Sequence, residues 1–301
     1  MVWMSDYFLG EDGERRGGAV TNFQKMRIFC RYMADPGFQS GVAEDIGVDQ
    51  STVSHHIVTV MDAILCKKEE WIHFPTSEQE IQNAKHLWLE SKMFPSTVGA
   101  IDCTHVPIEK PAGVFGDEFV NRKGYASINV QATCNGKWEF TSIDVSWPGS
   151  VHDSRVLRNS SLFHHLQSTQ ASSILLGDEG YPLHPFLMTP YKTPTSNREK
   201  LFNKVHSNER VVIEQAFGQL KRRFPMLRYG IRLALKSVPA AIVSCAVLHN
   251  IAKRFNEPSP FDDEQTVDVA QHVAQDIEID DDSQGSSRRN EIANVLFTNF
   301  Q

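Results

Sequence analysis

The chain has 301 residues, 41% of them hydrophobic, and a formal net charge of −7, enough for one large core or a core with a small accessory domain. The N-terminus carries Glu11, Asp12 and Glu14 rather than a basic start followed by an apolar run, which argues against a secretory signal. The longest apolar stretch, Val238 to Ala252, is too short to span a bilayer and contains His249 and Asn250, so it reads as a buried helix of a soluble globular protein.

Five cysteines, Cys30, Cys66, Cys103, Cys134 and Cys245, are scattered, odd in number and without a C-x-x-C pair. They predict a reducing compartment, nucleus or cytoplasm, and small buried apolar roles. Eleven Asp/Glu against two Arg fall after residue 255, which leaves residues 1 to 255 weakly positive. The acidity belongs to the segment 256–301, with Asp280, Asp281, Asp282 and an SQGSS stretch, expected to be disordered or loosely attached.

In chain order, 1–20 is an N-terminal segment. Phe23, Met26, Ile28, Phe29 and Met33 lie near helical spacing and predict a first helix over 22–35, stopped by Pro36-Gly37. A short helix around Val42 to Ile46, a turn at Gly47 and a longer helix follow. Asp49 is in the capping position of that longer helix, and Val53, Ile57, Val60 and Ile64 form one apolar stripe along it. This is the spacing of a helix-turn-helix within residues 21–75, whose second helix would present Gln50, Ser51, Ser54 and His55 to DNA. An ordinary helical subdomain fits the same pattern, because Glu44, Asp45, Asp49 and Asp62 dilute the basic charge.

The alternation of VGAIDCTHVPI from Thr97 predicts a strand carrying Asp102 near its end. The segments 127–134 and 137–146 flank Asn135-Gly136, a strong hairpin signal, so three consecutive antiparallel strands are expected. A crossover helix over 153–167 follows, with Asp153 capping it. SSILLGDEGYP then reads as an interior parallel strand delivering Asp178 at its C-terminal edge, and a long helix from about Asn197 to Phe224 is stopped by Pro225.

Strand, hairpin, crossover helix, strand, helix is the ribonuclease H-like order. The predicted fold is thus an α/β mixed sheet flanked by helices over residues 76–255, preceded by the small all-α region. It places Asp102 and Asp178 on adjacent strands and brings Glu214 from a helix across that edge. Converging carboxylates repel one another unless a divalent cation removes that cost. Two Mg²⁺ or Mn²⁺ ions roughly 4 Å apart would suit phosphodiester cleavage or strand transfer on DNA. Arg210 and Lys221 share the face of Glu214 at i−4 and i+7. Together with Arg222 and Arg223 they either meet DNA phosphates or form a solvated basic helix end.

GAIDCTHVPI, FVNRKGYASINVQATC, SWPGSVHDSRVL, LLGDEGYPL, TPY, ERVVIEQAFGQLKRRFPML and CAVLHNIA resemble, in this order, the DDE domain of PIF/Harbinger-type transposases and Harbinger transposase-derived nucleases, over about residues 20 to 255. The resemblance implies an acidic triad with thirty-five residues between its second and third members, which Asp178 and Glu214 match, with Asp102 as the first. Its His-Asp step falls on His152-Asp153, so Asp153 is either a fourth metal ligand, a group that orients one, or a helix cap. Asn121, Arg122, Lys123 and Tyr125 either grip phosphate or a flipped base, or are a solvated loop. His249 and Asn250 either reach toward the acids or are satisfied core residues. Position 179, small in the family, is Glu179 here.

The resemblance implies a metal-dependent DNA endonuclease, transposon-encoded or host-domesticated, with DNA as partner. It also implies nuclear location and a separate Myb-like DNA-binding protein, and leaves a homo-oligomer open. A domesticated, non-cleaving DNA-binding or nuclear adaptor protein is the alternative.

Overall fold

The computed structural model describes residues 1–12, 20–35, 37–168, 173–257 and 282–299. Most of the acidic tail, 258–281, lies outside the described residues, as does Pro36. The helices in chain order are α1 (Val2–Leu9), α2 (Asn22–Met33), α3 (Gln39–Ile46), α4 (Gln50–Cys66), α5 (Lys68–Trp71), α6 (Glu78–Leu89), α7 (Asp153–Arg158), α8 (Ser161–Ser168), α9 (Asn197–Arg223), α10 (Met226–Tyr229), α11 (Val238–Arg254) and α12 (Ser283–Asn299). The strands are β1 (Thr97–Pro107), β2 (Ser127–Cys134), β3 (Phe140–Pro148), β4 (Ile174–Leu176) and β5 (Leu187–Met188).

Packing groups the described residues into two units. The first holds 1–72, 105–128 and 219–257. Helix α2 begins with a capping box, Thr21 and Gln24 each accepting from the other's backbone amide, which satisfies two otherwise orphaned donors. Helix α3 ends at Gly47, whose φ of 76° suits a residue without a β-carbon. Asp49 takes the capping position of α4, but its exposed carboxylate accepts no capping bond, contrary to expectation. At an exposed helix end water can serve the same amides.

The predicted stripe Val53, Ile57, Val60 and Ile64 is buried, and α4 packs against α2, α3 and α11. Helix α11 is buried from Ala241 to Ala252. The stretch Leu235–Arg254 is apolar and long enough to cross a membrane by composition, and it is 72% buried inside the protein, as a core helix is. Helix α11, from the far end of the chain, thus shares the core of the N-terminal helices.

The second unit holds 73–104, 129–218 and 282–299. The sheet that runs through this part of the chain is five-stranded and mixed, in the order β3-β2-β1-β4-β5. The first three strands are antiparallel neighbours: Gly99 abuts Cys134, whereas farther along Ile108 N–H donates to Ala126 O, and Thr133 meets Thr141 through their hydroxyls at 2.7 Å. A β-carbon at Gly99 would stand 2.5 Å from the Cys134 carbonyl oxygen, so only glycine allows this approach. Strand β4 runs parallel to β1 and β5 parallel to β4, with Ala100 paired to Leu176 at the end of the β1–β4 ladder.

Two local expectations are corrected. The hairpin is not a two-residue Asn-Gly turn: strand pairing ends at Cys134 and resumes at Phe140. Asn135 Oδ1 accepts from Lys137 N and Glu139 N, and the left-handed residue is Trp138, φ 62°. The Asn135 side chain thus builds a wider loop in place of the tight turn. The single crossover helix is two, α7 and α8, broken where Ser160 Oγ accepts from Phe163 N and donates to Leu157 O, a side-chain alternative to the helical ladder.

One core of this unit joins Val98, Ile101 and Cys103 of β1 to Val156 and Leu157 of α7, Leu162 and Leu166 of α8, and Leu175, Tyr181, Phe186 and Leu187. The last part of the tail, expected to be loosely attached, is ordered as α12. It buries Ile292, Ala293 and Leu296, and its Arg288 and Arg289 donate to the carbonyls of Pro185, Thr189 and Pro190. Apolar positions 292, 293 and 296 lie at helical spacing, and they outweigh the acidity that precedes them.

Candidate active site

Sheet register sets the two aspartates. Asp102 and Asp178 each lie two residues beyond the Ala100–Leu176 pair of the parallel ladder. They therefore emerge at the same level where β4 stops. Strand β1 continues five residues past Asp102, so Asp102 is mid-strand rather than near the end, and it gains its strand-end position only relative to β4.

Asp102 is 3% exposed. Burial first, then the negative charge of Asp178, and after these Asp153, push its carboxyl well above the ordinary carboxylate range, while Arg210 opposes them. Its Oδ1 accepts from Cys103 N at 2.7 Å. Asp178 is buried, and its Oδ1 accepts from Gly180 N at 3.0 Å. Asp153 is the first residue of α7, with His152 in the capping position. Its carboxylate accepts from Asn129 Nδ2 at 2.8 Å, so the Asp153 side chain does not cap the helix. Glu214 comes from α9, one turn after Arg210.

The guanidinium of Arg210 joins the acids. Nη1 lies 3.1 Å from Asp102 Oδ2, and Nη2 donates to Glu214 Oε1. Burial opposes the charge of Arg210, but Asp102, Glu214 and Asp178 more than offset this and hold its pKa above the ordinary value. Expected as a DNA contact, Arg210 is 16% exposed in its side chain and committed to ion pairs. The donor set Asp102, Asp153, Asp178 and Glu214 is all carboxylate oxygen, the chemistry that Mg²⁺ and Mn²⁺ take. Its arrangement differs from a closed site: among the described residues no three His, Cys, Asp or Glu side chains form a group able to hold a metal ion.

Gln50, Ser51, Ser54 and His55 are exposed on α4, with Gln50 Nε2 donating to Gln39 Oε1 at 3.0 Å. Arg122, Lys123 and Tyr125 are exposed on a loop that buried Asn121 organises, its Oδ1 accepting from Lys123 N and its Nδ2 donating to Ser127 Oγ. Lys221 Nζ donates to His105 O at 2.8 Å, and Arg222 and Arg223 are half-buried. Asn250 Nδ2 donates to Trp71 O at 2.8 Å, and His249 is fully buried on the same helix. Glu179 is exposed. Of the cysteines, Cys103, Cys134 and Cys245 are buried as expected, whereas Cys66 is exposed.

Two residues of α9 escaped the sequence reading. Buried Glu209 accepts from Trp88 Nε1 at 2.8 Å and from the backbone amides of Met93 and Phe94. It ties α9 to the segment that leads into β1. His206, fully buried, contacts Met188 O through Nε2 at 2.9 Å and stacks on Phe202. Burial pushes its pKa down to about 4, the Met188 carbonyl only partly opposing.

Above about pH 6.5 this histidine is neutral folded or unfolded. Between there and about pH 4 the unfolded chain takes up a proton that the folded state refuses, and stability falls across that window by about 3 kcal/mol. Urea midpoints at pH 7 and 4.5 will therefore separate more for the wild type than for His206→Gln. Equal separation would show that His206 does not contribute.

Residues 101–250 match the family model described as a DDE superfamily endonuclease. HARBI1 of Rattus norvegicus, which carries a nuclease name, is 35% identical over 243 residues, 79% of this chain and 69% of the relative. HARBI1 of Homo sapiens is 34% identical with the same coverage. Protein ALP1-like of Arabidopsis thaliana is 26% identical over 255 residues, 79% of this chain and 62% of the relative. No solved structure matches the chain. The matched span contains all four carboxylates and Arg210, and with that agreement the chain belongs to the family of Harbinger transposase-derived DDE nucleases.

Proposed function

We propose that the protein is a divalent-metal-dependent DNA endonuclease with a ribonuclease H-like catalytic fold, in which Asp102, Asp178 and Glu214 carry catalysis and Asp153 assists them. The observation behind this reading is the equal offset of Asp102 and Asp178 past the β1–β4 pair, with Glu214 linked to Asp102 through one guanidinium. Mg²⁺ or Mn²⁺ held by these carboxylates, as one ion or two, would neutralise charge at the scissile phosphate and supply an acidified water.

The chain's own groups do the rest. Cys103 N and Gly180 N fix one oxygen of Asp102 and of Asp178, and Asn129 orients Asp153. The exposed residues Gln50, Ser51, Ser54 and His55 of a helix-turn-helix-like α3–α4 pair, together with Arg122 and Lys123, supply DNA contacts, and the Lys221–Arg223 helix end adds phosphate contacts. Nuclear location, and a Myb-like partner that strengthens DNA binding, belong to the same reading.

Purified protein should nick plasmid DNA in Mg²⁺ or Mn²⁺, and Asp178→Ala should abolish the product. Cleavage retained in the variant removes Asp178 from catalysis. DNA binding without cleavage by either protein, with the partner present, would make the chain a non-cleaving adaptor.

A further inference from the structure

One arginine lies between two of the four carboxylates. Asp102 and Glu214 are 108 and 4 residues away from Arg210 in sequence, yet one guanidinium reaches both, Nη1 to Asp102 and Nη2 to Glu214. All three side chains are mostly buried: 16%, 4% and 22% exposed for Arg210, Asp102 and Glu214. A planar fork serving two carboxylates through charge-assisted bonds is a counter-cation in both charge and place. Asp178 adds to its attraction.

We infer that Arg210 is a resident counter-ion of the acidic cluster that a divalent ion must displace, so that metal entry is coupled to the swing of this one side chain out of the site. The inference rests on the proposed metal-dependent function and adds its gate. An ion bound by Asp102 and Glu214 and a guanidinium bound by the same two groups compete, and only one of them can be fully desolvated there. The acids are thereby kept compatible with folding before metal arrives, at a cost in metal affinity.

An ordinary structural ion pair would behave differently. Its removal would destabilise the protein equally with and without metal and would leave metal affinity unchanged or weaker. A gate predicts the opposite sign.

The experiment titrates full-length protein with Mn²⁺ alone, without DNA, by electron paramagnetic resonance or calorimetry, for wild type, Arg210→Gln and Arg210→Lys. Arg210→Gln should bind Mn²⁺ about ten-fold or more tightly than wild type, as expected from deleting a competing charge-assisted contact. Arg210→Lys should fall between them. In EDTA the Gln variant should melt below wild type, and saturating Mn²⁺ should close that gap. If the Gln variant does not fold, the Lys variant carries the same comparison. Wild-type binding with no gain in either variant overturns the gate while leaving the metal-dependent reading intact. Absence of Mn²⁺ binding in every protein overturns both, whereas binding by the variants alone supports the gate in its strongest form.

Discussion

Glu209→Ala will cost the protein about 3–5 kcal/mol of stability, because the buried donors Trp88 Nε1 and Phe94 N lose the carboxylate that accepts from both, and each such orphan costs about 1–3 kcal/mol. Met93 N, on an exposed residue, can turn to water. Against a typical total of about 5–15 kcal/mol this is a large fraction. Glu209→Gln keeps one carbonyl oxygen and should lose less. Urea denaturation measures both, and a loss below about 1 kcal/mol for the alanine variant would mean that the segment before β1 repacks around the vacancy. Since that segment leads directly into the strand carrying Asp102, cleavage should decline in parallel in folded Glu209→Gln.

Asp102→Asn should move stability and activity in opposite directions. Asp102 is buried beside Asp178 and Asp153, and burial together with their charge raises its folded pKa. Above the unfolded value of about 3.9 the folded state resists losing the proton, so the wild type is penalised as pH rises through the window up to the folded pKa. The amide removes that penalty. Its melting temperature in EDTA at pH 7 should exceed that of wild type by a few degrees, while Arg210 keeps Glu214 as partner. Cleavage should fall by on the order of a thousand-fold or more, as for loss of one member of a catalytic unit. A variant less stable than wild type would show that the Arg210 contact outweighs repulsion in the cluster.

What could be read from the sequence was what repeats or punctuates. The stripe on α4, the extent of α9 up to Pro225 and the run from Thr97 all follow from periodicity and breakers, and the structure has them. The signals for α6 were also present, Ser77 and Glu80 forming a capping box, although the acidic composition there masks the element.

Failures came where a polar side chain replaces a backbone rule. Asn135 organises a loop with its own oxygen, so the Asn-Gly pair does not form the turn. Ser160 ends one helix and begins another inside an otherwise continuous apolar pattern. Glu209 was hidden for a different reason. A carboxylate in a charged helix reads as solvated, and its partners Trp88 and Phe94 are 121 and 115 residues away. Arg210 was seen as a cation, but nothing local told whether phosphate or carboxylate would claim it.

The offset of two residues that Asp102 and Asp178 share past Ala100 and Leu176 also bears on how such a gene can change. Side chains alternate across a strand, so a single-codon insertion or deletion between the last ladder pair and Asp102, which lies within β1, would turn that carboxylate to the opposite face of the sheet. Substitution, in contrast, can silence either carboxylate and leave the hydrogen-bonded ladder untouched. A lineage with no use for these carboxylates could therefore keep this scaffold by point changes alone, whereas one that lost a codon just before Asp102 would forfeit that carboxylate's placement and the register of β1 together.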